Sequence, residues 1–221
     1  MQRVVAFLLE PVVKFSVKIV PLRVATKLIQ LLPTVTFAKF VGMFHFTRVY
    51  KVSLFGTEFL LESGPDDDHY LELEKNRLRD WENEVLSIWV HEIANAEMVI
   101  DVGAYLGIYT ILAVKLGCRK VLAIEPNSKN FSKLQKNLFL NQIKSVESHR
   151  VALGAKSRFV SVLTPSGRPN SSGSQIADSP TGRELSAWEI ESEVYMTTLD
   201  SLLVDEGVRV SVIKIDAEGY E

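Results

Sequence analysis

The sequence has a single cysteine, Cys118, among its 221 residues. One thiol excludes an internal disulfide framework and leaves no cysteine cluster for zinc, so we expect Cys118 to be a small buried hydrophobic side chain. This cysteine usage is compatible with a reducing, cytoplasmic compartment. The chain also has little net charge, −2 at pH 7, which argues against nucleic acid as its partner.

The basic N-terminal segment, residues 1–48, has no hydrophobic run long enough to cross a membrane. Its longest stretch without a charge, residues 28–38, has 11 residues and includes a proline, whereas a membrane span needs about 20 apolar residues. The segment also lacks the hydrophobic region and cleavage site of a secretory signal. Three prolines divide it into three short predicted helices. Two interpretations stay open: a helical cap that packs on the rest of the chain, or peripheral contact with an anionic membrane surface.

The hydrophobic pattern of the remaining chain alternates between strands and helices, as in a doubly wound α/β fold. With 47% hydrophobic and 24% charged residues, the composition supports one well-formed core. The pattern predicts strands at 98–102, 120–124 and 146–149, helices near 107–116 and 128–140, extended segments at 159–163 and 194–197, and a short helix at 199–203.

A turn spaced by glycines follows the first of these strands, directly after Asp101. Gly103 allows a sharp turn and lets a ligand approach the backbone without meeting a Cβ, and Gly107 permits close packing of the helix that follows. The next strand ends at Glu125, whose carboxylate can accept hydrogen bonds from both hydroxyls of a ribose. These residues predict a nucleotide-binding crevice at the carboxyl ends of two neighbouring strands.

The spacing of this turn favours one class of nucleotide ligand over another. A dinucleotide fingerprint would read G-x-G-x-x-G, whereas this turn reads D-x-G-x-x-x-G from Asp101 to Gly107. An acidic turn suits a cationic sulfonium better than a diphosphate. The turn is therefore typical of class I S-adenosylmethionine-dependent methyltransferases, and it disfavours a nicotinamide-dependent oxidoreductase, which Glu125 alone would permit.

A last apolar strand ends at Asp216 and is followed by Glu218 and Gly219. In a doubly wound sheet this strand lies beside the Asp101 strand, so we expect both carboxylates to point into the crevice. Methyl transfer depends mainly on positioning, but a hydroxyl acceptor also benefits from a base. Asp216, with Lys214 on the same strand face, is the candidate base, and Glu218 is expected to hold the substrate or the loop. Positioning is the favoured role over proton abstraction.

Together, the three motifs resemble the FkbM family of methyltransferases. The chain reads D-V-G-A-Y-L-G at 101–107, E-P-N at 125–127 and K-I-D-A-E-G-Y-E at 214–221, and the family usually has Asn in place of Tyr105. The resemblance extends from about Trp81 to Glu221 and implies S-adenosylmethionine as the cofactor. It implies a catalytic set of Lys214, Asp216 and Glu218, and a cofactor-binding set of Asp101, Gly103, Ala104, Tyr105, Gly107, Glu125, Pro126, Asn127 and Ala152.

The resemblance also implies a fold, an acceptor class and a domain division. The expected fold is a Rossmann-like methyltransferase sheet that is incomplete after its fourth core strand, because the chain ends inside the third motif. The expected acceptor is the hydroxyl of a sugar, glycolipid or small metabolite, and the alternative is a non-enzymatic, membrane-associated binding module on the same fold. The expected parts are the helical extension at 1–48, a strand and helix lead-in at 49–97, and the cofactor-binding domain at 98–221.

Four further segments carry expectations that a structure can test. The adenine is expected near Ser148, His149, Val151 and Ala152, with His149 as an ordinary polar residue rather than a catalytic one. Three acids at 66–68 are expected to form a solvated turn and helix start rather than a metal site. Trp81, Val85, Ile88 and Trp89 recur at helical spacing and predict one buried face. The Gly-, Pro- and Ser-rich stretch at 164–183 is either a rim over the cofactor or a surface loop.

Overall fold

The computed structural model describes residues 47–65, 67–167, 171–178, 187–203 and 209–217. The chain divides into two units, residues 1–45 and residues 46–221, and all described residues belong to the second. The predicted helices of the N-terminal extension, and Glu218 with the end of the third motif, lie outside the described residues. Within the described ranges, no helix is long and apolar enough to span a membrane.

The described chain begins with an antiparallel hairpin, β1 (Arg48–Leu54) and β2 (Thr57–Ser63). Phe55 and Gly56 both have positive φ, as the two central residues of a tight hairpin turn do. Alternate side chains of both strands are buried in the main core, and in β1 their neighbours along the strand are exposed. Helices α1 (Tyr70–Asn76) and α2 (Asn83–Ile93) follow and complete the lead-in.

The buried face predicted around helix α2 is only partly correct: Trp89 is buried and Trp81 is partly buried against the main core, but Val85 and Ile88 are exposed. The side chains of Val85 and Ile88 are 52% and 62% exposed, whereas Leu86, Trp89 and Ile93 are buried. The buried residues have the spacing i, i+3 and i+7, which is one helical face. Trp81 misled the prediction, because it precedes the helix and therefore cannot mark one of the helix's faces.

The central sheet is parallel and confirms the predicted doubly wound order. Its strands are β3 (Met98–Val102), β4 (Lys120–Ile124), β5 (Val146–His149) and β10 (Val210–Ile215), arranged β10-β3-β4-β5. Strand β10 thus returns to the far side of β3 from β4. The switch point that binds ligands in such sheets lies between these strands, at their carboxyl ends.

Helices pack on the central sheet and bury both of its faces. Helix α3 (Ile108–Lys115) is buried over most of its length, and α4 (Ser128–Leu140) turns Leu134 and Leu138 into the same core as the hairpin. The opposite sheet face packs against helix α5 (Leu199–Leu202). Cys118 is buried, as predicted.

A second sheet follows the central one in the chain. Its strands are β6 (Ala152–Leu153), β7 (Arg158–Pro165), β8 (Gln175–Ala177) and β9 (Trp188–Thr197), arranged β6-β9-β7-β8. The predicted extended segments at 159–163 and 194–197 are the cores of β7 and β9, and both strands are longer than expected. The stretch expected to be a loop contains β8, whose pairing with β7 is a contact distant in sequence that local composition does not indicate.

Candidate functional site

A cavity of about 470 Å³ lies at the carboxyl ends of the central strands. This is the switch point of the sheet and a common ligand position in α/β folds. Every chain segment that leaves this edge contributes to its lining. The lining consists of His69, Trp81 and Glu82 from the lead-in, Val102–Leu106, Ile108 and Tyr109 after β3, Ile124–Pro126 after β4, Val151–Gly154 after β5, Ser172, Ser174, Ile176 and Leu199 beyond, and Ile213–Ala217 at the end of β10.

Glu125 is the buried acid of this cavity, and only 4% of its surface is exposed. Its two carboxylate oxygens accept hydrogen bonds from the backbone N–H groups of Tyr105, at 2.8 Å, and Asn127, at 2.9 Å. Burial raises the pKa of Glu125 to about 7, although both N–H donors lower it. Each oxygen has a further lone pair, so the carboxylate can accept a pair of ligand hydroxyls without losing its anchors.

Two glycines of the turn have positive φ and very close neighbours. A Cβ on Gly103 would lie 1.9 Å from the backbone oxygen of Asp216, and one on Gly107 would lie 2.6 Å from a methyl carbon of Leu134. The fold itself therefore requires Gly103, because a side chain there would collide with the backbone at the end of β10. We had expected the approach of a ligand to be the reason. Gly107 permits close helix packing, but its partner is α4 and not the α3 helix that directly follows. Gly107 does not line the cavity.

Asp101 does not point into the crevice, which corrects the expectation. It is fully buried below the cavity, where its carboxylate accepts a hydrogen bond of 2.6 Å from the hydroxyl of Thr110. The ammonium of Lys214 lies 3.3 Å from its other oxygen. Asp101 and Lys214 are register partners on adjacent parallel strands, so the sheet itself brings them together.

Lys214 links this buried carboxylate to the cavity. Its ammonium lies 3.6 Å from Asp216, 4.9 Å from the centre of the Tyr109 ring, and donates to the backbone oxygen of Gly103 at 3.1 Å. Burial lowers the pKa of Lys214, but the two carboxylates outweigh it and raise that pKa above its ordinary value. Lys214 is therefore a stable cation that positions Asp216, whose side chain is 55% exposed at the cavity.

Asn127 was expected to contact the cofactor, but its side chain does not face the cavity. Its buried side chain accepts hydrogen bonds from the backbone N–H groups of Lys129 and Asn130, which makes it the N-cap of helix α4. Its amide nitrogen donates to the hydroxyl of Ser174 at 3.0 Å. Asn127 thus acts on the cavity through Glu125 and Ser174 and does not line it.

A serine segment, residues 171–174, forms a rim of the cavity. One carboxylate oxygen of Asp68 accepts three hydrogen bonds, from the hydroxyl of Ser171 at 3.0 Å and from the backbone N–H and hydroxyl of Ser172 at 2.6 and 2.7 Å. The backbone N–H of Asp68 donates to the Tyr105 hydroxyl at 3.1 Å. In the described part of the stretch at 164–183, Ser172, Ser174 and Ile176 therefore line the cavity, as the rim interpretation predicts.

The acids that precede helix α1 are not a solvated turn. Asp67 is 4% exposed and pairs with Lys133 of helix α4, and Asp68 holds the serine segment. Asp66 lies outside the described residues. Asp67 also accepts hydrogen bonds from the nearby Ser63 hydroxyl and Gly64 N–H. The two acids nevertheless fasten the lead-in to the central domain, because each has a further partner far away in sequence.

Only two of the four residues expected near the adenine line the cavity. Val151 and Ala152 line the cavity, and Ser148 and His149 do not. His149 forms a surface pair with Glu147, with 2.7 Å between nitrogen and oxygen. Strand β5 ends at His149, so only the residues after it reach the cavity edge.

Four residues that line the cavity lie outside the three motifs: His69, Trp81, Glu82 and Tyr109. The His69 ring lies 4.6 Å from the Trp81 ring and 5.2 Å from the Tyr105 ring, centre to centre, and the Tyr109 hydroxyl donates to Glu82. Three of them come from the lead-in, before the first motif. No local pattern could have indicated them, since their place depends on how the lead-in packs over the turn.

Comparison with known families decides what kind of site this is. The methyltransferase FkbM domain matches residues 101–221, which is more than half of the chain. The chain belongs to the FkbM methyltransferase family. S-adenosylmethionine is therefore the cofactor of this domain, and the nicotinamide alternative has no support left.

Solved structures similar to this chain include a ribosomal protein methylase, a SAM-dependent methyltransferase and a protein solved with AdoMet. The ribosomal protein L11 methylase of Lactobacillus delbrueckii subsp. bulgaricus is 27% identical over 32% of this chain and 38% of its own, with a TM-score of 0.29. The SAM-dependent methyltransferase of Agrobacterium tumefaciens is 17% identical over 47% and 32%, with a TM-score of 0.33. M. jannaschii TYW2, solved with AdoMet, is 22% identical over 48% and 43%, with a TM-score of 0.32.

The chain spans less than half the length of each of these three structures. No curated protein sequence matches it.

The cavity of this FkbM methyltransferase fits S-adenosylmethionine by its chemistry. Glu125 presents carboxylate oxygens suited to ribose hydroxyls, and the apolar residues Ile124, Val151 and Leu153 suit an adenine ring. At the other end, Asp216 and the Tyr109 ring suit a cationic sulfonium. The residues that line the cavity therefore match the three chemically distinct parts of this cofactor.

Proposed function

We propose that this FkbM methyltransferase methylates a hydroxyl oxygen of a sugar, glycolipid or small metabolite. The observation that carries the proposal is the position of Asp216: a half-exposed carboxylate at the cavity, next to a buried ammonium. A carboxylate there can accept a hydrogen bond from an acceptor hydroxyl and fix its direction. The net charge of −2 supports a small-molecule or glycan acceptor over nucleic acid.

Different residues of the site bind the cofactor and position the acceptor. Glu125 and the turn at 103–106 hold the cofactor, and the serine segment covers it from the rim. Lys214 holds Asp216 in place while the buried Asp101 keeps Lys214 charged. When bound, S-adenosylmethionine supplies an electrophilic methyl group, so this chain's residues need to orient an oxygen and remove its proton.

The first experiment separates the cofactor from the acceptor. Isothermal titration measures binding of S-adenosylhomocysteine, with NAD as the control ligand, to the full chain and to its Glu125→Gln variant. We expect binding of S-adenosylhomocysteine alone, weakened about tenfold in the variant because a buried charged hydrogen-bond acceptor is lost. Absence of binding to the folded chain would contradict the assignment of the cavity.

The second experiment addresses turnover. The chain is incubated with S-adenosylmethionine and a panel of methyl glycosides and simple alcohols, and mass spectrometry detects S-adenosylhomocysteine and methylated products. O-methylated products support the proposal. Cofactor binding without product from any hydroxyl would instead favour the alternative, a binding module on a methyltransferase fold.

A further inference from the structure

The end of the cavity beside Asp216 has an aromatic wall that the motifs do not predict. His69 forms its centre, with the Trp81 ring 4.6 Å away and the Tyr105 ring edge-on at 5.2 Å. The Tyr109 ring continues the wall, 6.0 Å from Trp81. All four line the same cavity as the cofactor-binding residues. The wall therefore lies where an acceptor can meet the cofactor.

His69 is half-buried in this wall, and its ring nitrogens are available. Neither nitrogen has a hydrogen-bond partner among the residues that the structure describes, although two aromatic neighbours hold the ring. A neutral imidazole has one nitrogen that donates and one that accepts. His69 can therefore accept a hydrogen bond from a hydroxyl in the cavity without giving up an existing contact.

The other titratable groups of the cavity are already engaged. Asp216 pairs with the ammonium of Lys214, Glu82 accepts the hydroxyl of Tyr109, and Glu125 accepts two backbone N–H groups. Lys214 is charged and cannot accept a proton. Among the described residues that line the cavity, His69 is thus the titratable side chain that has neither a hydrogen-bond partner nor an ion-pair partner, and its ring has an aromatic support.

We propose that His69 is the general base that takes the proton from the acceptor hydroxyl, a role that rests on the proposed O-methylation. The acceptor oxygen forms its new bond to the methyl carbon, and the electron pair of the broken carbon–sulfur bond stays on sulfur. The hydroxyl proton moves to the open nitrogen of His69, which becomes an imidazolium. Asp216 then orients the acceptor through another of its hydroxyl groups, because the single proton of the reacting hydroxyl is directed at His69.

The surroundings of His69 are compatible with both the neutral imidazole and the protonated imidazolium. Burial lowers the pKa of His69 below its ordinary value, so the imidazole is neutral near neutral pH and can act as a base. Glu82, Glu72, Asp67 and Asp216 oppose this effect by raising the pKa, and they stabilise the imidazolium once it forms. Lys214 is the cation on the facing strand, and Asp101 and Asp216 balance its charge.

The test compares His69→Gln and His69→Ala with wild type and with His91→Gln. His91 is an exposed histidine of helix α2 outside the cavity, so it is a matched control. Isothermal titration of S-adenosylhomocysteine checks that each variant is folded and holds the cofactor. Turnover is then measured with S-adenosylmethionine and the methyl glycosides and alcohols described above, as a function of pH and with added imidazole.

We expect kcat to fall about 100-fold or more in both His69 variants, as for loss of a general base, with the affinity for S-adenosylhomocysteine changed less than about twofold. Wild-type kcat should fall toward acid pH, below the ordinary titration range of histidine, as His69 becomes protonated, and this limb should be absent in His69→Gln. Added imidazole should restore part of the rate of His69→Ala, which a purely structural loss would not allow. His91→Gln should behave as wild type.

Each other outcome has a distinct meaning. Active His69 variants with an unchanged pH profile would overturn the base role and leave the O-methylation intact. A low rate that imidazole does not restore, together with weakened S-adenosylhomocysteine binding, would assign His69 to the cofactor site and overturn the proposal. A wild-type chain that binds S-adenosylhomocysteine but methylates no hydroxyl would overturn the proposed function itself, and with it the role of His69.

Discussion

At the scale of single residues, the site depends on a few buried charges whose partners are backbone groups or other charges. Glu125 has two backbone donors, and Asp101 and Lys214 neutralise each other beneath the cavity. Burial of a charge is tolerated only when such partners are present. Substitutions at these positions should therefore affect both stability and binding, and the measurements have to separate the two.

Glu125 should release protons when the cofactor product binds. Its pKa is raised to about 7, so near neutral pH a large part of the free chain carries a neutral Glu125. Ribose hydroxyls that donate to the carboxylate favour the charged form and lower its pKa, so binding of S-adenosylhomocysteine should release protons and strengthen as pH rises toward neutrality. Titration in buffers of different ionisation enthalpy measures the protons released.

The matched control is Glu125→Gln, which keeps the side-chain shape and cannot titrate. The release should disappear in this variant. An equal release of protons from wild type and variant would assign it to another group. The free chain should also lose stability as pH rises from about 4.5 to about 7, because in this window the folded state holds the proton more tightly than the unfolded state does.

Gly103→Ala should be one of the most destabilising changes in the turn. A Cβ at this position would lie 1.9 Å from a backbone oxygen that cannot move without displacing strand β10, and φ is +75°. We expect the free energy of unfolding to fall by more than about 2 kcal/mol, because strain and clash add. Chemical denaturation measures it.

Gly117→Ala is the control for Gly103→Ala. Gly117 also has a positive φ, of +99°, but open space surrounds its Cβ position. This change should cost only the backbone strain, about 1–2 kcal/mol. Equal losses in the two variants would mean that β10 yields to the added methyl group.

At the scale of elements, one border of the cavity is a rim that two distant segments hold in place. The serine segment bonds to Asp68 of the lead-in on one side and to Asn127 and Asn130 of helix α4 on the other. Asp68 also donates to Tyr105, whose backbone donates to Glu125. The rim, the turn and the ribose-binding acid are therefore one connected network, in which Tyr105 replaces the family's usual Asn.

Asp68→Asn should loosen the rim and shorten the residence time of the cofactor product. The amide keeps the size of the side chain but weakens three hydrogen bonds that a carboxylate accepts. We expect dissociation of S-adenosylhomocysteine to become about tenfold faster, with a smaller change in the association rate. Stopped-flow measurements give the rates, and hydrogen exchange reports protection of residues 171–178.

Asp178→Asn is the matched control, because Asp178 follows the same segment but pairs at the surface with Arg158. Its dissociation rate should stay at the wild-type value. If both variants release S-adenosylhomocysteine at the wild-type rate, the rim does not control release of the ligand.

At the scale of the whole molecule, the lead-in and the central domain form one core and one cavity. The hairpin packs against the same hydrophobic cluster as helices α3 and α4, and residues 69–82 complete the site. Binding of the cofactor should therefore be linked to the stability of the whole described unit and not of the matching domain alone.

S-adenosylhomocysteine should raise the melting temperature of the chain in one transition. At a free concentration of about 100 times Kd, a ligand that binds only the folded state adds about 2.7 kcal/mol to the free energy of unfolding. For a domain of this size, this corresponds to a shift of roughly 5–10 °C. Differential scanning calorimetry with NAD as control measures it, and a shift confined to one of two separate transitions would contradict a single cooperative unit.

The N-terminal extension keeps its two interpretations, a cap or a membrane contact. Co-sedimentation with anionic vesicles, with and without residues 1–45, separates them. Vesicle binding that requires these residues and weakens with salt would favour membrane contact, since basic residues then face the lipid charge. Absence of binding, together with lower stability after the deletion, would favour the cap.

The sequence by itself determined the elements whose signal is local. Strands β3, β4 and β5, helices α3 and α4, the Gly103 turn and Glu125 at a strand end all follow from hydrophobic period and turn chemistry within a few residues. The order of the parallel sheet follows from these elements, because the connections between parallel strands obey general rules of topology. Three short motifs in order were specific enough to predict the family.

Only the tertiary structure decided which of these residues face the cavity. Asp101 is buried under Lys214, Asn127 caps a helix, and His69 enters the site from a lead-in segment that carries no motif. The second sheet and the rim likewise depend on pairs far apart in sequence. Such contacts form because the whole chain packs its apolar faces at once, and the local pattern of a segment carries no record of its distant partner.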